Sequence, residues 1–353
     1  MSEPSRTNSA ERGYTERLVP VKTADGMTCN VINVRGPVAP SRRPVLIVHG
    51  AGVRANIFRA PVKTSLIDYL IERGHDVWLA NWRASIDIPP NEWTLDKAAV
   101  YDHPAIVQTV VRETHSEEIN AVIHCQGSTS FMMSAVAGLV PQVKTIVANA
   151  VSLHIDVTPF SRVKAAVAVP ALSTLTPYVS PGWGENAPTL LAKALTAFVR
   201  LTHPECDNNV CRMVSFIYGT GFPALWRHEN INEETHEWLK HEFAEVPMAF
   251  FRQMASCIKR GSLVSTGEFS QLPTDFVAAP PQTDARFSFF AGDKNLCFLP
   301  VGQQRTFEYF DRQRSNYHTL HRYPTYGHLD VFMGTNAAND IFPTMANELE
   351  RGA

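Results

Sequence analysis

The segment AVIHCQGSTSFMMSA, residues 121–135, passes from an apolar run through a small polar bend into a helix-like pattern. Cys125 stands at the bend, flanked by His124 and Gln126, with Gly127 just behind. A sharp strand-to-helix turn lifts one side chain clear of a parallel sheet, and the tight turn favours small residues two positions either side of the nucleophile. Gly127 meets that requirement downstream, whereas Ile123 stands where a small residue is usual upstream. No GxSxG occurs in the chain, and Ser128 and Ser130 fall past the bend. The thiol therefore occupies the position from which an acyl group would be attacked, although a buried cysteine at a strand end is the competing explanation.

Two further stretches favour chemistry. VLIVHGAG (45–52) reads as a strand ending in His49-Gly50, and the N–H groups of Ala51 and Gln126 are placed to hold the oxyanion of a tetrahedral intermediate. Later, FFAGDKN and YPTYGHLD each carry an apolar strand into a turn presenting one polar group. Asp293 and His328 then follow Cys125 in the order nucleophile, acid, base. His328 would take the thiol proton, during attack or beforehand as a thiolate–imidazolium pair, and Asp293 would orient the imidazole. Asp330 is expected to point away. His124, Gly50, Gly52 and Trp226 are the expected lining of the substrate pocket; His124 is not expected to be the base, because a neighbour in the turn diverges from the nucleophile, and Arg83 is expected to anchor the loop after its strand.

Elements that could position these residues alternate along the chain. A hairpin turns at Asp25-Gly26, and strands are expected at PVLIVHG, HDVWLANW, INAVIHC, VKTIVANAV, RFSFFAGD and within YHTLHRYPTYGHLD. Helices are expected at 60–74, at 94–115 with a break at Asp102-His103-Pro104, at 126–139 and at 339–351. Alternation of this kind implies a mostly parallel α/β sheet flanked by helices. Residues 155–280 break the rhythm with helix-like, aromatic-rich segments and no convincing strand. The expected organisation is a loose tail over 1–16, a core over 17–154 and 281–353, and a helical cap over 155–280.

Several other functions find no support. The 353 residues are 44% hydrophobic and 19% charged with a formal net charge of −2, which gives no electrostatic case for nucleic acid. The longest apolar run, VKAAVAVPAL, is too short to span a bilayer, and the N-terminal residues lack a signal-peptide core, so a cytoplasmic protein is expected. Gly50-x-Gly52-x-x-Ala55 resembles a dinucleotide fingerprint, but the next strand ends in Asn81-Trp82 without a ribose-binding carboxylate. In HEWLKH, His236 and His241 are five residues apart and diverge by about 140° on a helix, so no HExxH zinc pair forms. Neither cofactor nor metal is called for. The five cysteines other than Cys125 read as reduced buried thiols, with a local Cys206–Cys211 disulfide the less favoured alternative.

Taken with NWRAS, TLDKAAVYDHPA, HCQGS, NINEETHEWL and YGHLDVFMGTNAANDIFP, these features resemble the α/β-hydrolase superfamily over residues 44–350. More closely, the chain resembles cysteine-bearing hydrolase-like domains fused to, or encoded beside, bacterial cholesterol-oxidase-type flavoproteins. The set Cys125, Asp293 and His328 also resembles the triads of dienelactone hydrolases and polyhydroxyalkanoate synthases. The resemblance implies an α/β-hydrolase fold and acyl transfer on a hydrophobic ester, thioester or lactone. An acyltransferase, ester synthase or cyclase using a non-water acceptor, and a non-catalytic binding protein on the same frame, remain alternatives.

Overall fold

Long apolar runs of β-branched residues have only one way to satisfy their backbone while buried on both faces, which is pairing inside a parallel sheet. The computed structural model, which describes residues 12–150 and 153–351, builds such a sheet. Its eight strands are β1 (Thr15–Lys22), β2 (Thr28–Arg35), β3 (Val45–Val48), β4 (Val77–Asn81), β5 (Ile119–His124), β6 (Val143–Asn149), β9 (Arg286–Gly292) and β10 (Thr319–Tyr323). The remaining two, β7 (Tyr178–Val179) and β8 (Val246–Pro247), pair with each other elsewhere. The strand order is β1-β2-β4-β3-β5-β6-β9-β10, with β2 antiparallel to both neighbours, β1 and β4, and every other pairing parallel. Strands β3, β4, β5 and β9 are buried along their whole length, as their continuous apolar sequences require.

Helices fill the connections: α1 (Leu66–Glu72), α2 (Leu95–Lys97), α3 (His103–Thr114) and α4 (Cys125–Val136) precede β6. Between β6 and β9 come α5 (Pro159–Ser173), α6 (Leu190–Thr202), α7 (Asn209–Tyr218), α8 (Glu233–Trp238) and α9 (Met248–Arg260). After β9 follow α10 (Pro300–Gln313), α11 (Asp330–Met333), α12 (Ala337–Asp340) and α13 (Phe342–Glu350). Among the described residues no helix is long and apolar enough to cross a membrane.

Several boundaries differ from expectation. The strand at the N-terminus begins at Thr15, inside the expected tail, while residues 1–11 of that tail lie outside the described residues. Val151, expected to end the strand after α4, also lies outside them. Helix α1 starts at Leu66 rather than near residue 60, because Ser65 and Asp68 form a reciprocal capping box there. The break expected near Pro104 appears as a π-helical turn, Ala98–Asp102, before α3 resumes. The expected C-terminal helix is split at Ile341, since Pro343 lacks an N–H to continue the preceding turn. The two-residue β7–β8 ladder was illegible because a period-2 pattern needs more than two residues.

Candidate active site

Strand β5 leads straight into α4, and Cys125 at the junction has φ of 55°. That left-handed conformation strains any residue with a side chain, and it turns Sγ out of the sheet. Neighbouring glycines make room. A Cβ on Gly127 would lie 2.0 Å from the His49 carbonyl oxygen, and one on Gly50 would lie 2.8 Å from Cys125 Cβ. Ile123 is accommodated two residues upstream, fully buried and in register with Val48 and Ala148.

The backbone N–H groups of Gln126 and Ala51 lie on the side of the thiol and favour its anion. Burial opposes them and dominates, pushing the thiol up to about 12. Tyr218, on α7, donates its hydroxyl to the Ala51 carbonyl at 3.2 Å and so braces the loop that supplies one of the two amides.

Two imidazoles approach Cys125. One nitrogen of His124 and one of His328 lie with Sγ in a group whose members are all within 4.8 Å of one another. Both Nδ1 atoms face asparagines. His124 Nδ1 lies 2.7 Å from Asn149 Oδ1, an acceptor, so that nitrogen carries the proton and Nε2 keeps its lone pair. At His328 the polarity is reversed. Asn295 Oδ1 already accepts the N–H groups of Cys297 (2.9 Å) and Phe298 (3.1 Å), so its Nδ2 donates to His328 Nδ1 at 3.0 Å. Neutral His328 therefore carries its proton on Nε2, which has no hydrogen-bond partner. Burial holds both rings neutral, His124 down to about 3 and His328 well below its ordinary value.

No family model matches the chain. Curated relatives align with about a third of it. Sterol esterase 2 of Saccharomyces cerevisiae is 27% identical over 135 residues, covering 33% of this chain and 25% of that protein. Lipase member M of Homo sapiens is 31% identical over 135 residues, covering 33% and 32%. The chain thus spans about a quarter to a third of the length of these relatives. Among solved structures, the monoacylglycerol lipase of Paleococcus ferrophilus has a TM-score of 0.57 at 13% identity, covering 93% of this chain and all of that one. An esterase from Exiguobacterium antarcticum has a TM-score of 0.57 at 10% identity, covering 94% and 99%.

The fold is that of the α/β-hydrolases. Within this α/β-hydrolase framework, the expected set of residues is brought together only in part. Cys125, Gln126, Ala51, His124 and His328 converge. Asp293 does not. Its carboxylate pairs with Arg322 at 2.9 Å near the surface, because the turn after β9 points residue 293 outward and residue 295 inward. Asn295, within the same short segment, holds His328 instead. Asp330 turns away from the imidazole as expected and accepts Gly327 N–H at 2.8 Å and Asn230 Nδ2 at 2.6 Å, which fixes the loop carrying His328. Arg83 anchors its loop through a two-oxygen clasp on buried Asp102 at 2.7 and 2.8 Å, with Asp25 of the β1–β2 turn as a second partner.

The expected pocket lining is corrected. His124 packs against Phe58 and Phe332, and Gly50 presses on Cys125. Gly52, at φ of 66°, leaves room for Val246 and the Tyr218 hydroxyl, while Trp226 is buried against Phe243. None of the four lines the large apolar cavity. A cavity open to solvent, about 990 Å³ with the open space at its mouth counted, is bordered by α5, α7 and α9 together with Gln126 and Phe298. Val169, Leu172, Phe216 and Phe251 make this wall mostly apolar. The Lys164 ammonium is its one formally charged lining group, donating to the carbonyls of Phe216 and Gly219, and burial lowers it to about 8. Asn295 was detectable in the sequence only as a polar residue beside the chosen aspartate. Asn149 and Lys164 carried no signal there.

Proposed function

We propose that this protein is an acyl-transfer enzyme of esterase type that cleaves hydrophobic carboxylic esters through an acyl-thioester on Cys125. The observation carrying this reading is Cys125 at φ of 55° on the strand-to-helix turn, with the Ala51 and Gln126 amides favouring its anion and an apolar cavity reaching Gln126. Such donors stabilise the charge that appears on the carbonyl oxygen in the tetrahedral intermediate. The partial similarity to proteins named as a sterol esterase and a lipase supports a lipid-like ester as substrate. Residues 155–280 would act as the cap over the acyl chain.

In the first half-reaction Sγ bonds to the ester carbonyl carbon, and the thiol proton leaves with an imidazole. His124 Nε2 is the acceptor already in the required tautomer. His328 takes that role only if the Asn295 amide turns over and gives up its two backbone donors. The proton then passes to the departing alkoxide as the C–O bond breaks. Water attacks the thioester in the second half-reaction, and the carboxylic acid and free thiol are released. Turnover of p-nitrophenyl esters of increasing chain length, with intact-mass detection of the acyl adduct, tests this. Activity unchanged in Cys125→Ala would refute it. An alcohol supplied with the ester separates hydrolysis from transfer by its ester product.

A second reading, a binding protein for hydrophobic acyl ligands, is favoured by one observation. Asn295 disfavours the base-competent form of His328. Ligand titration through Trp183, which lines the cavity, together with no thiol-dependent turnover, would support it.

A further inference from the structure

Away from the cavity, four side chains with soft or borderline donor atoms meet in one place. Cys206 precedes α7, Cys211 lies in its first turn, His228 follows in a short 3₁₀ turn (His228–Asn230), and His236 lies on α8. One donor atom from each lies within 4.8 Å of all the others. Cys206 Sγ is 3.5 Å from His236 Nε2, and Cys211 Sγ is 3.4 Å from His228 Nε2. A tetrahedral zinc ion with bonds of about 2.3 Å to sulfur and about 2.05 Å to nitrogen requires sulfur–nitrogen edges of about 3.5 Å.

We propose that Cys206, Cys211, His228 and His236 form a structural Cys₂His₂ site for zinc in the segment between β6 and β9. The ligand types and the Cys-x₄-Cys spacing suit zinc, and no carboxylate belongs to the set, which disfavours calcium and magnesium. Outer partners hold the ligands in place. Asn208 caps α7 by accepting the Cys211 N–H at 3.0 Å and donates Nδ2 to the His236 carbonyl at 2.8 Å. Its own N–H reaches Cys206 Sγ at 3.4 Å.

The location explains what the ion would accomplish. The segment packs in two places: Val210, Val214, Trp238 and Leu239 join the main apolar core, and Val179, Trp183, Met213 and Met248 belong to a smaller cluster. Helix α7 carries Phe216, Ile217 and Tyr218 into the cavity wall, and Tyr218 reaches the Ala51 carbonyl. A zinc ion at the first turn of α7 ties that helix to α8 and to the 3₁₀ turn whose Asn230 grips Asp330.

The test uses the full chain in a Cys125→Ala background, which removes the other thiol–imidazole group. Metal analysis of the purified protein should give one zinc per chain. After chelation, titration with cobalt chloride should give the ligand-field and thiolate charge-transfer bands of a tetrahedral site, saturating at one equivalent. Cys206→Ser and His236→Ala, both at half-buried positions, should abolish the bands while circular dichroism stays native. Chelation should lower the melting temperature of the parent and leave these two variants unmoved. A chain that is metal-free and silent to cobalt would overturn the proposal. So would bands that survive Cys206→Ser, or a mass lower by two hydrogens that marks a Cys206–Cys211 disulfide.

Discussion

Asn295 presents an N–H, and not a carbonyl oxygen, to Nδ1 of His328. The cause is local, because its oxygen is committed to the backbone N–H groups of Cys297 and Phe298. An aspartate at this position could accept from all three groups at once.

Asn295→Asp should therefore increase esterase activity. The converse change in a serine-protease triad leaves geometry intact and costs about 10⁴ in kcat through the wrong imidazole tautomer. We expect kcat/KM on p-nitrophenyl esters to rise by roughly two orders of magnitude or more, a substantial part of that converse effect. Equal or lower activity in a folded variant would show that the tautomer of His328 does not limit the reaction.

Cys125 should behave as a neutral thiol at rest. Its pKa is pushed up to about 12 by burial, against the pull of two amides. Alkylation by iodoacetamide, followed by intact mass, should accelerate about tenfold per pH unit from pH 7 to 10. A rate already level at pH 7 would indicate a thiolate–imidazolium pair and contradict the neutral resting state.

Acid should unfold the protein through its buried histidines. His49 is lowered to about 4, and His103 and His124 to about 3, in each case first by burial. Their unfolded values lie near about 6.5, so the unfolded chain binds more protons below that pH. The stability from keeping them neutral is complete above about 6.5 and falls by about 1.4 kcal/mol per pH unit for each histidine as pH drops towards the folded values. Urea unfolding at pH 7, 6 and 5 measures this, and a midpoint that does not move would contradict it.

The Arg83–Asp102 pair is fully buried, with Arg83 Nε and Nη2 each hydrogen-bonded to one carboxylate oxygen. Removing one member leaves a buried charge without its partner, which costs about 3–5 kcal/mol. Arg83→Met should lower the unfolding free energy by that amount in denaturant titration, and a loss below about 1 kcal/mol would mean that the surroundings relax to solvate Asp102.

The sequence by itself determined the strand succession, the bend at Cys125 and the small residues that the bend needs. These are short-range properties, set by apolar periodicity and by the clash that any Cβ at Gly127 would make with His49. It also determined that HGAG would lie beside HCQG, since parallel neighbours in an α/β sheet bring their C-terminal turns to one edge. Tertiary structure decided which polar residue after β9 faces His328. Asp293 and Asn295 differ by two positions in one turn, and composition favours the aspartate, but the direction of the turn selects the asparagine. It also decided that the apolar cavity lies against α5, α7 and α9, away from Trp226 and Gly52. In the sequence His236 was paired with His241 and set aside on helix geometry. Only the folded chain brings it to Cys206, Cys211 and His228, because residues 8 to 30 positions away become neighbours through turns that no helical or strand period encodes.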